Sequence, residues 1–223
     1  MRIAGLEKCS TVDFPGGLAA VLFAPGCNYR CFYCHNRQIL GNPPLLDEAE
    51  VFRFLKKRAG LLDAVVFSGG EPALQSGLAD CIREVRALGY KVKLDTNGSR
   101  PEVLRSLLSE NLLDYAAMDY KAPFGDYPSI TGQDASGVAE SLSLLLAGRI
   151  PFELRTTVVP MLTETKLKEM AAAVPHNVKW FLQLYRPQQG DEAFLGSLHP
   201  YSQGKIETLA EKLQEVRPLV RAR

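Results

Sequence analysis

The chain has 223 residues, of which 26 are Lys or Arg and 25 are Asp or Glu, for a formal net charge of +1. At roughly 100 to 200 residues per domain that length predicts one compact domain or a tight pair, and the near-zero charge gives no electrostatic reason to expect nucleic acid or an anionic membrane as partner. No apolar run approaches the roughly 18 to 20 residues of a membrane span, and Met1-Arg2-Ile3-Ala4-Gly5-Leu6-Glu7-Lys8 is not a secretory signal, so the expected address is cytoplasmic.

From Leu18 onward short apolar runs alternate with longer segments of helical period, the pattern of parallel βα units. Leu18 to Phe23 predicts the first strand, followed by a loop holding Cys27, Cys31 and Cys34. Asp47, with Glu50 three residues on, reads as the capping box of a helix that places Val51, Phe52, Leu55 and Ala59 on one face. Ala64 to Phe67 predicts the second strand, which runs into Ser68-Gly69-Gly70-Glu71-Pro72. Leu78, Cys81, Ile82, Val85 and Leu88 recur at helical spacing up to Gly89, a natural C-terminal cap. Further strands are predicted at Lys91 to Leu94, Tyr115 to Asp119, Phe152 to Val159 and Trp180 to Leu184. Further helices are predicted at Pro101 to Glu110, Ser136 to Ala147, Thr163 to Val174 and Ser202 to Val216. Trp180 reads as core, His176 and His199 as surface residues, and Arg217, Arg221 and Arg223 as a frayed, solvated tail.

Residues 18 to 216 leave room for six βα units at roughly 30 residues each, and not for eight. The expected fold is therefore α/β: a partial (β/α)6 TIM-type barrel with parallel strands. It would form one domain over 1–223, with an N-terminal segment 1–17, a barrel over about 18–200 and a C-terminal helix over about 202–216. An open doubly wound sheet would carry a Gly-rich phosphate loop after its first strand, which Pro25-Gly26-Cys27-Asn28-Tyr29-Arg30-Cys31 is not. In either architecture a ligand site lies at the carboxyl ends of the strands.

Five cysteines are an odd number for a disulfide framework, and three of them form a C-x3-C-x2-C segment, Cys27, Cys31 and Cys34. Zinc sites usually take four protein ligands, so a zinc reading would need His35 as the fourth. A cubane cluster has four irons, and three thiolates would leave one iron open to a substrate. Cys81 falls on the apolar face of its helix and reads as core; Cys9 has no second cysteine nearby.

The other strand ends are polar. Gly69 and Gly70 would let a ligand approach the backbone, whose carbonyls accept hydrogen bonds from an ammonium group, although a plain strand-to-helix turn explains the same glycines. Asp95, Asp119 and Lys121 would converge on one rim, or serve as local caps and a surface pair. Arg155 interrupts an apolar run and would point into a lined cavity or pair with a rim carboxylate. Gln183, Tyr185 and Arg186 are weaker rim candidates.

The cysteine segment, with Tyr33 as the aromatic before its last cysteine, resembles the signature of the radical S-adenosylmethionine superfamily. Cys34-His35-Asn36 and the upstream Ser10-Thr11-Val12-Asp13-Phe14-Pro15-Gly16 resemble the activating enzymes of glycyl radical proteins. The resemblance implies a [4Fe-4S] cluster on Cys27, Cys31 and Cys34, with S-adenosylmethionine on its open iron. Tyr33, Asn36, Gly69, Gly70, Glu71, Asp95, Thr96, Asn97, Asp119, Lys121 and Arg155 become the cofactor-binding residues. Gly69, Gly70 and Glu71 match a motif that holds the methionine amino group. Asp119 matches an aspartate near that group, Lys121 a lysine near the carboxylate, and Arg155 is a further candidate for the carboxylate. Asp95 and Thr96 match a monovalent cation site. Asp13 is the substrate-side residue, and no residue is needed as acid or base. The implied partner is a glycyl radical enzyme, with anaerobic ribonucleoside-triphosphate reductase the best match, and flavodoxin or ferredoxin the electron donor. Alternatives are a radical enzyme acting on a small molecule such as a deazapurine precursor, and a non-enzymatic zinc or iron-sulfur binding module.

Overall fold

The computed structural model describes residues 1–223. In chain order its elements are β1 (Gly5–Ser10), β2 (Ala19–Ala24), α1 (Glu48–Arg58), β3 (Ala64–Gly69), α2 (Leu78–Ala87), β4 (Lys91–Thr96), α3 (Pro101–Ser109) and β5 (Tyr115–Asp119), then α4 (Tyr127–Thr131), α5 (Ser136–Ala147), β6 (Phe152–Val158), α6 (Glu164–Ala172), β7 (Lys179–Leu184), α7 (Glu192–Leu195), α8 (Gln203–Gln214) and β8 (Val220–Ala222). The strands follow one another in the sheet in chain order. β1 runs antiparallel to β2, while β2 with β3, β3 with β4, β6 with β7 and β7 with β8 are parallel. The α/β class and all six expected strands are present, and no helix is long and apolar enough to cross a membrane.

The chain divides into two compact units, one of residues 1–28, 36–117 and 137–151, the other of residues 29–35, 118–136 and 152–223. In the first unit the inward positions of β2 and β3, Ala19, Val21, Ala64 and Val66, pack with Tyr115 and with Phe14 from the segment before β2. Because side chains alternate along a strand, the other positions, Ala20, Leu22, Val65 and Phe67, face away and are also fully buried, as a sheet covered on both sides requires. Helix α1 is capped by Asp47, whose Oδ1 accepts from Ala49 N at 2.8 Å. Of its expected face Val51 and Leu55 are buried and Phe52 is half-buried, while the helix ends at Arg58 and leaves Ala59 outside. Glu50 lies 3.8 Å from Arg53 instead of closing the capping box.

In the second unit β6 and β7 pair in register from Glu153 opposite Lys179 to Val158 opposite Leu184. Trp180 is fully buried, its Nε1 donating to Thr156 Oγ1 at 2.9 Å; at roughly 25 cal/mol per Å2 such a ring contributes several kcal/mol. The expectation of a frayed C-terminus is corrected here. Val220–Ala222 adds to β7 as β8, Arg217 Nε donates to Ala171 O at 2.7 Å, and the Arg223 guanidinium lies over the Phe181 ring at 5.5 Å. Three arginines within seven residues suggest a solvated tail, but their stems and donors find partners once the strand is in place. The strand β1 was likewise hidden in the sequence, because Gly5-Leu6-Glu7-Lys8-Cys9-Ser10 lacks an apolar run; an edge strand needs none.

Candidate functional site

The first unit gathers the carboxyl ends of β2, β3 and β4. Ala24 and Gly69 are register partners, and Gly69 adopts φ +115°, where a Cβ would lie 2.5 Å from Ala24 N and O. A Cβ on Gly70 would lie 1.9 Å from Gly26 O. The backbones are this close because Gly70 N donates to Ala24 O at 2.8 Å and Glu71 N to Gly26 O at 2.9 Å. The glycines are therefore demanded by backbone lying on backbone, next to Cys27. Asn36 Nδ2 donates to Gly69 O at 2.7 Å, fixing the carbonyl that the sequence marks as a candidate ammonium acceptor; a carbonyl oxygen has two lone pairs.

Glu71 is fully buried. Its Oε1 accepts from Ala73 N at 3.0 Å and from the Thr96 hydroxyl at 2.7 Å, and its Oε2 accepts from Asn97 N at 2.6 Å. The carboxylate thus binds the end of β3 to the end of β4. Asn97 then carries the link onward: its Nδ2 donates to Asn28 Oδ1 at 3.0 Å and lies 3.6 Å from Cys27 Sγ, while Ser99 also donates to Asn28 Oδ1, at 3.2 Å. Asp95 accepts from the Ser68 hydroxyl at 3.2 Å and has Lys93 Nζ 3.1 Å from its Oδ1.

The second unit holds Cys31, Tyr33 and Cys34. Arg30 N donates to Thr131 O of α4 at 2.8 Å, and Cys34 N to Cys31 O at 3.1 Å. Tyr29 meets Tyr127 edge to face, and Phe32 packs against Tyr33, Tyr185 and Phe194. Tyr185 is buried with its hydroxyl on the buried carboxylate of Asp191, so this tyrosine supports the loop from below. Asp119 lies between two cations, with Lys121 Nζ at 2.9 Å from Oδ2 and Arg155 Nε at 3.5 Å from Oδ1; the pairing of Arg155 with a rim carboxylate is thus the arrangement seen. Lys121 Nζ also sits 6.0 Å from the Tyr33 ring centre. Burial disfavours the Lys121 ammonium, yet Asp119, Tyr33 and Cys31 outweigh it and hold the group well above the usual lysine range. Burial raises the Cys31 thiol above its ordinary value, and the nearby Lys121 charge opposes that rise.

None of the five cysteines is in a disulfide, and those of the loop are partly exposed, whereas Cys81 is buried. Burial pushes the Cys81 thiol up to about 12, fitting its place in the α2 core. Cys27 falls in the first unit and Cys31 and Cys34 in the second, and no three Cys, His, Asp or Glu side chains are gathered as a metal-ready group. The donor set nevertheless suits an iron-sulfur cluster: three thiols within eight residues, one of them with an amide N–H aimed at its sulfur, the second-sphere contact that steadies a ligating thiolate.

Sequence reasoning missed Lys93, Asn28 and Ser68. The signal for Lys93 was available, since residues 93 and 95 share one face of β4. Asp13, the expected substrate-side residue, accepts the Ser10 hydroxyl at 2.5 Å on Oδ2 and Lys93 Nζ at 2.5 Å on its carbonyl.

The sequence profile of the Radical SAM superfamily matches residues 21–174. A Methanocaldococcus jannaschii protein named provisionally as a glycyl-radical enzyme activating enzyme is 32% identical over 202 residues, covering 86% of this chain and 83% of its own length. A pyruvate formate-lyase-activating enzyme from Clostridium pasteurianum is 31% identical over 175 residues, covering 74% of this chain and 71% of its own length. Among solved structures, Streptococcus suis SuiB superposes with a TM-score of 0.70 at 11% identity over 91% of this chain and 50% of SuiB, a likeness of fold.

Proposed function

Because the chain belongs to the Radical SAM superfamily, as an enzyme of the glycyl-radical enzyme activating class, we propose that it makes a radical on a glycine of a partner protein, with Cys27, Cys31 and Cys34 holding a [4Fe-4S] cluster. When bound, that cluster supplies the electron that splits S-adenosylmethionine into methionine and the 5′-deoxyadenosyl radical that takes the glycine hydrogen. The rest of the task falls to the chain's own groups. Asn97 keeps Cys27 oriented, and Glu71 keeps Asn97 in place. The carbonyls of Gly69 and Gly70, with Asp119, receive the methionine ammonium; Lys121 and Arg155 receive its carboxylate as charge-assisted donors. Tyr33 covers the Lys121 side. Positioning, not proton transfer, is the contribution of the protein.

The observation that carries this reading is the continuous link Thr96, Glu71, Asn97, Cys27, which joins the first cysteine to the ends of two parallel strands. Anaerobic ribonucleoside-triphosphate reductase is the proposed partner, on the strength of the Asp13-Phe14-Pro15-Gly16 and Cys31-Phe32-Tyr33-Cys34-His35-Asn36 segments. Asp13 is proposed to face it. With Cys81 buried and Cys9 on β1, the chain offers no second cysteine set for an internal electron relay, so flavodoxin or ferredoxin is the proposed donor, in the cytoplasm. The test is anaerobic reconstitution with iron and sulfide, followed by reductant, S-adenosylmethionine and the reductase. A glycine-centred doublet in the paramagnetic resonance spectrum is expected. Cleavage of S-adenosylmethionine without that signal, for every glycyl radical protein tried, would overturn the activase reading in favour of a small-molecule substrate. A protein that takes up zinc and never cleaves the cosubstrate would overturn the enzyme reading itself.

A further inference from the structure

The resemblance to activating enzymes places a monovalent cation at Asp95 and Thr96, and the oxygens there do not fit one. Asp95 Oδ2 accepts from Ser68, Asp95 Oδ1 faces Lys93 Nζ at 3.1 Å, and the Thr96 hydroxyl donates to Glu71 while accepting from Gly98 N at 3.1 Å. We propose that Lys93 is the built-in cation of this strand end, so that its ammonium takes the place of a bound metal ion and ties Asp95 to the backbone of Asp13.

The geometry supports both halves of that statement. Lys93 is 2% exposed, a position an ammonium reaches only with partners. Its partners are the Asp95 carboxylate, the Asp13 carbonyl at 2.5 Å and the face of Tyr115 at 6.0 Å, three groups that also solvate alkali ions. Residues 93 and 95 stand two apart on β4, so their side chains leave the same face of the strand, which lets the ammonium reach its acid without a bend in the chain. A potassium or sodium ion at Asp95 would share one carboxylate with a second unit charge about 4 Å away, and at an effective dielectric of about 20 that repulsion weakens binding by roughly a thousandfold. The Lys93 bond to Asp13 also anchors the segment before β2, whose Phe14 packs on Ala19 and Ala64.

The inference rests on the activase reading only for the reason a cation would be sought at Asp95. The experiment is thermal unfolding of the full chain, anaerobically reconstituted, in equimolar KCl, NaCl or choline chloride. The wild-type protein is expected to melt at the same temperature in all three. K93M leaves a buried carboxylate uncompensated and is expected to melt roughly 10 °C lower in choline chloride, recovering several degrees, saturably, in KCl or NaCl as an ion enters. K93M/D95N is expected to regain stability and lose the response to salt identity. Saturable stabilisation of the wild type by potassium or sodium, absent with choline, would overturn the proposal. So would a K93M protein with the wild-type melting temperature, or a double variant as unstable as K93M, which would mean that the lysine fills space without balancing charge. Cleavage of S-adenosylmethionine by the wild type is measured alongside; its failure would remove the proposed function and leave the melting comparison intact.

Discussion

Substituting Gly70 by Ala separates two reasons for a glycine pair at a strand end, approach of a ligand and approach of backbone. The added Cβ would stand 1.9 Å from Gly26 O and 2.6 Å from its carbonyl carbon. Real contacts of that kind stay beyond 3.0 Å, so Gly26 and Gly70 must part by at least about 1.1 Å. Neither contact is with the yielding end of a side chain. The separation breaks the hydrogen bonds Gly70 N to Ala24 O and Glu71 N to Gly26 O, each about 1 kcal/mol net, and overpacking adds about 1 to 3 kcal/mol, giving about 3 to 5 kcal/mol in all. For a chain of this size that predicts a melting temperature roughly 10 °C lower. Because Gly26 precedes Cys27, iron per chain after anaerobic reconstitution is expected to fall as well. Circular dichroism melting and iron and sulfide analysis read the two effects. A variant that melts within about 2 °C of wild type, assembles its full cluster and loses only affinity for S-adenosylmethionine would refute the backbone argument and restore the ligand-approach explanation.

Glu71→Gln keeps the shape of the buried clamp but sets an amide N–H against Asn97 N or against Ala73 N and the Thr96 hydroxyl; a loss of about 3 kcal/mol is expected in denaturant titration. Cys27→Ala, Cys31→Ala and Cys34→Ala are each expected to abolish cluster assembly, while Cys9→Ala and Cys81→Ala keep wild-type iron and sulfide. In a chain lacking the three loop cysteines, iodoacetamide at pH 8 is expected to label exposed Cys9 first, because with a thiol pKa of about 12 roughly one Cys81 in ten thousand is a thiolate. Lys121→Met is expected to weaken S-adenosylmethionine binding about tenfold by calorimetry. Since the Lys121 ammonium is held above the usual lysine range, it stays protonated as pH rises, so wild-type affinity is expected to stay flat between about pH 7 and pH 10 as far as this group decides it.

The strands that carry the candidate site were legible as short apolar or alternating segments bounded by turn residues: Tyr115–Asp119 was predicted to the residue, and Ala64–Gly69 and Lys91–Thr96 differ only where the strand continues into its polar end. Helix α5 was equally plain, from Ser136 to Ala147. What the sequence hid were elements without an apolar signature. β1 is an edge strand with exposed Glu7, Lys8 and Cys9, and α7 is one turn long. Candidate site residues stand where a motif announces them, yet the groups they bond to are not announced with them. Nothing in Glu71 as a letter says that its carboxylate faces Asn97 N. Lys93 in an apolar strand resembles an outward lysine until Asp95 beneath the same face is taken with it. Arg223 reads as part of a frayed tail because the acid it meets, Glu153 at 3.5 Å, lies 70 positions earlier in the chain, although its side chain stays 40% exposed.

The three strand-end carboxylates share one property that bears on how a zwitterionic cosubstrate would bind. Glu71 is engaged by backbone and hydroxyl donors, Asp95 by Ser68 and Lys93, and Asp119 by Lys121 and Arg155. Each acid is therefore balanced inside the protein before any ligand arrives, which spares the chain the several kcal/mol per ion that an uncompensated buried charge costs. Glu71 and Asp95 are also buried, so their bonds would have to break within the core to admit a ligand; they serve best as fixed supports. Asp119 differs, with its side chain 37% exposed. A methionine carboxylate can approach Lys121 and Arg155 while the methionine ammonium takes over an oxygen of Asp119, so that the two ion pairs inside the protein give way to ion pairs with the ligand and no protein charge is left unpaired. Binding of that kind is an exchange, and its net strength is set by geometry more than by charge. It follows that Asp119→Asn, which removes the internal competitor for both cations, should cost less in affinity than Lys121→Met, which removes a donor to the ligand.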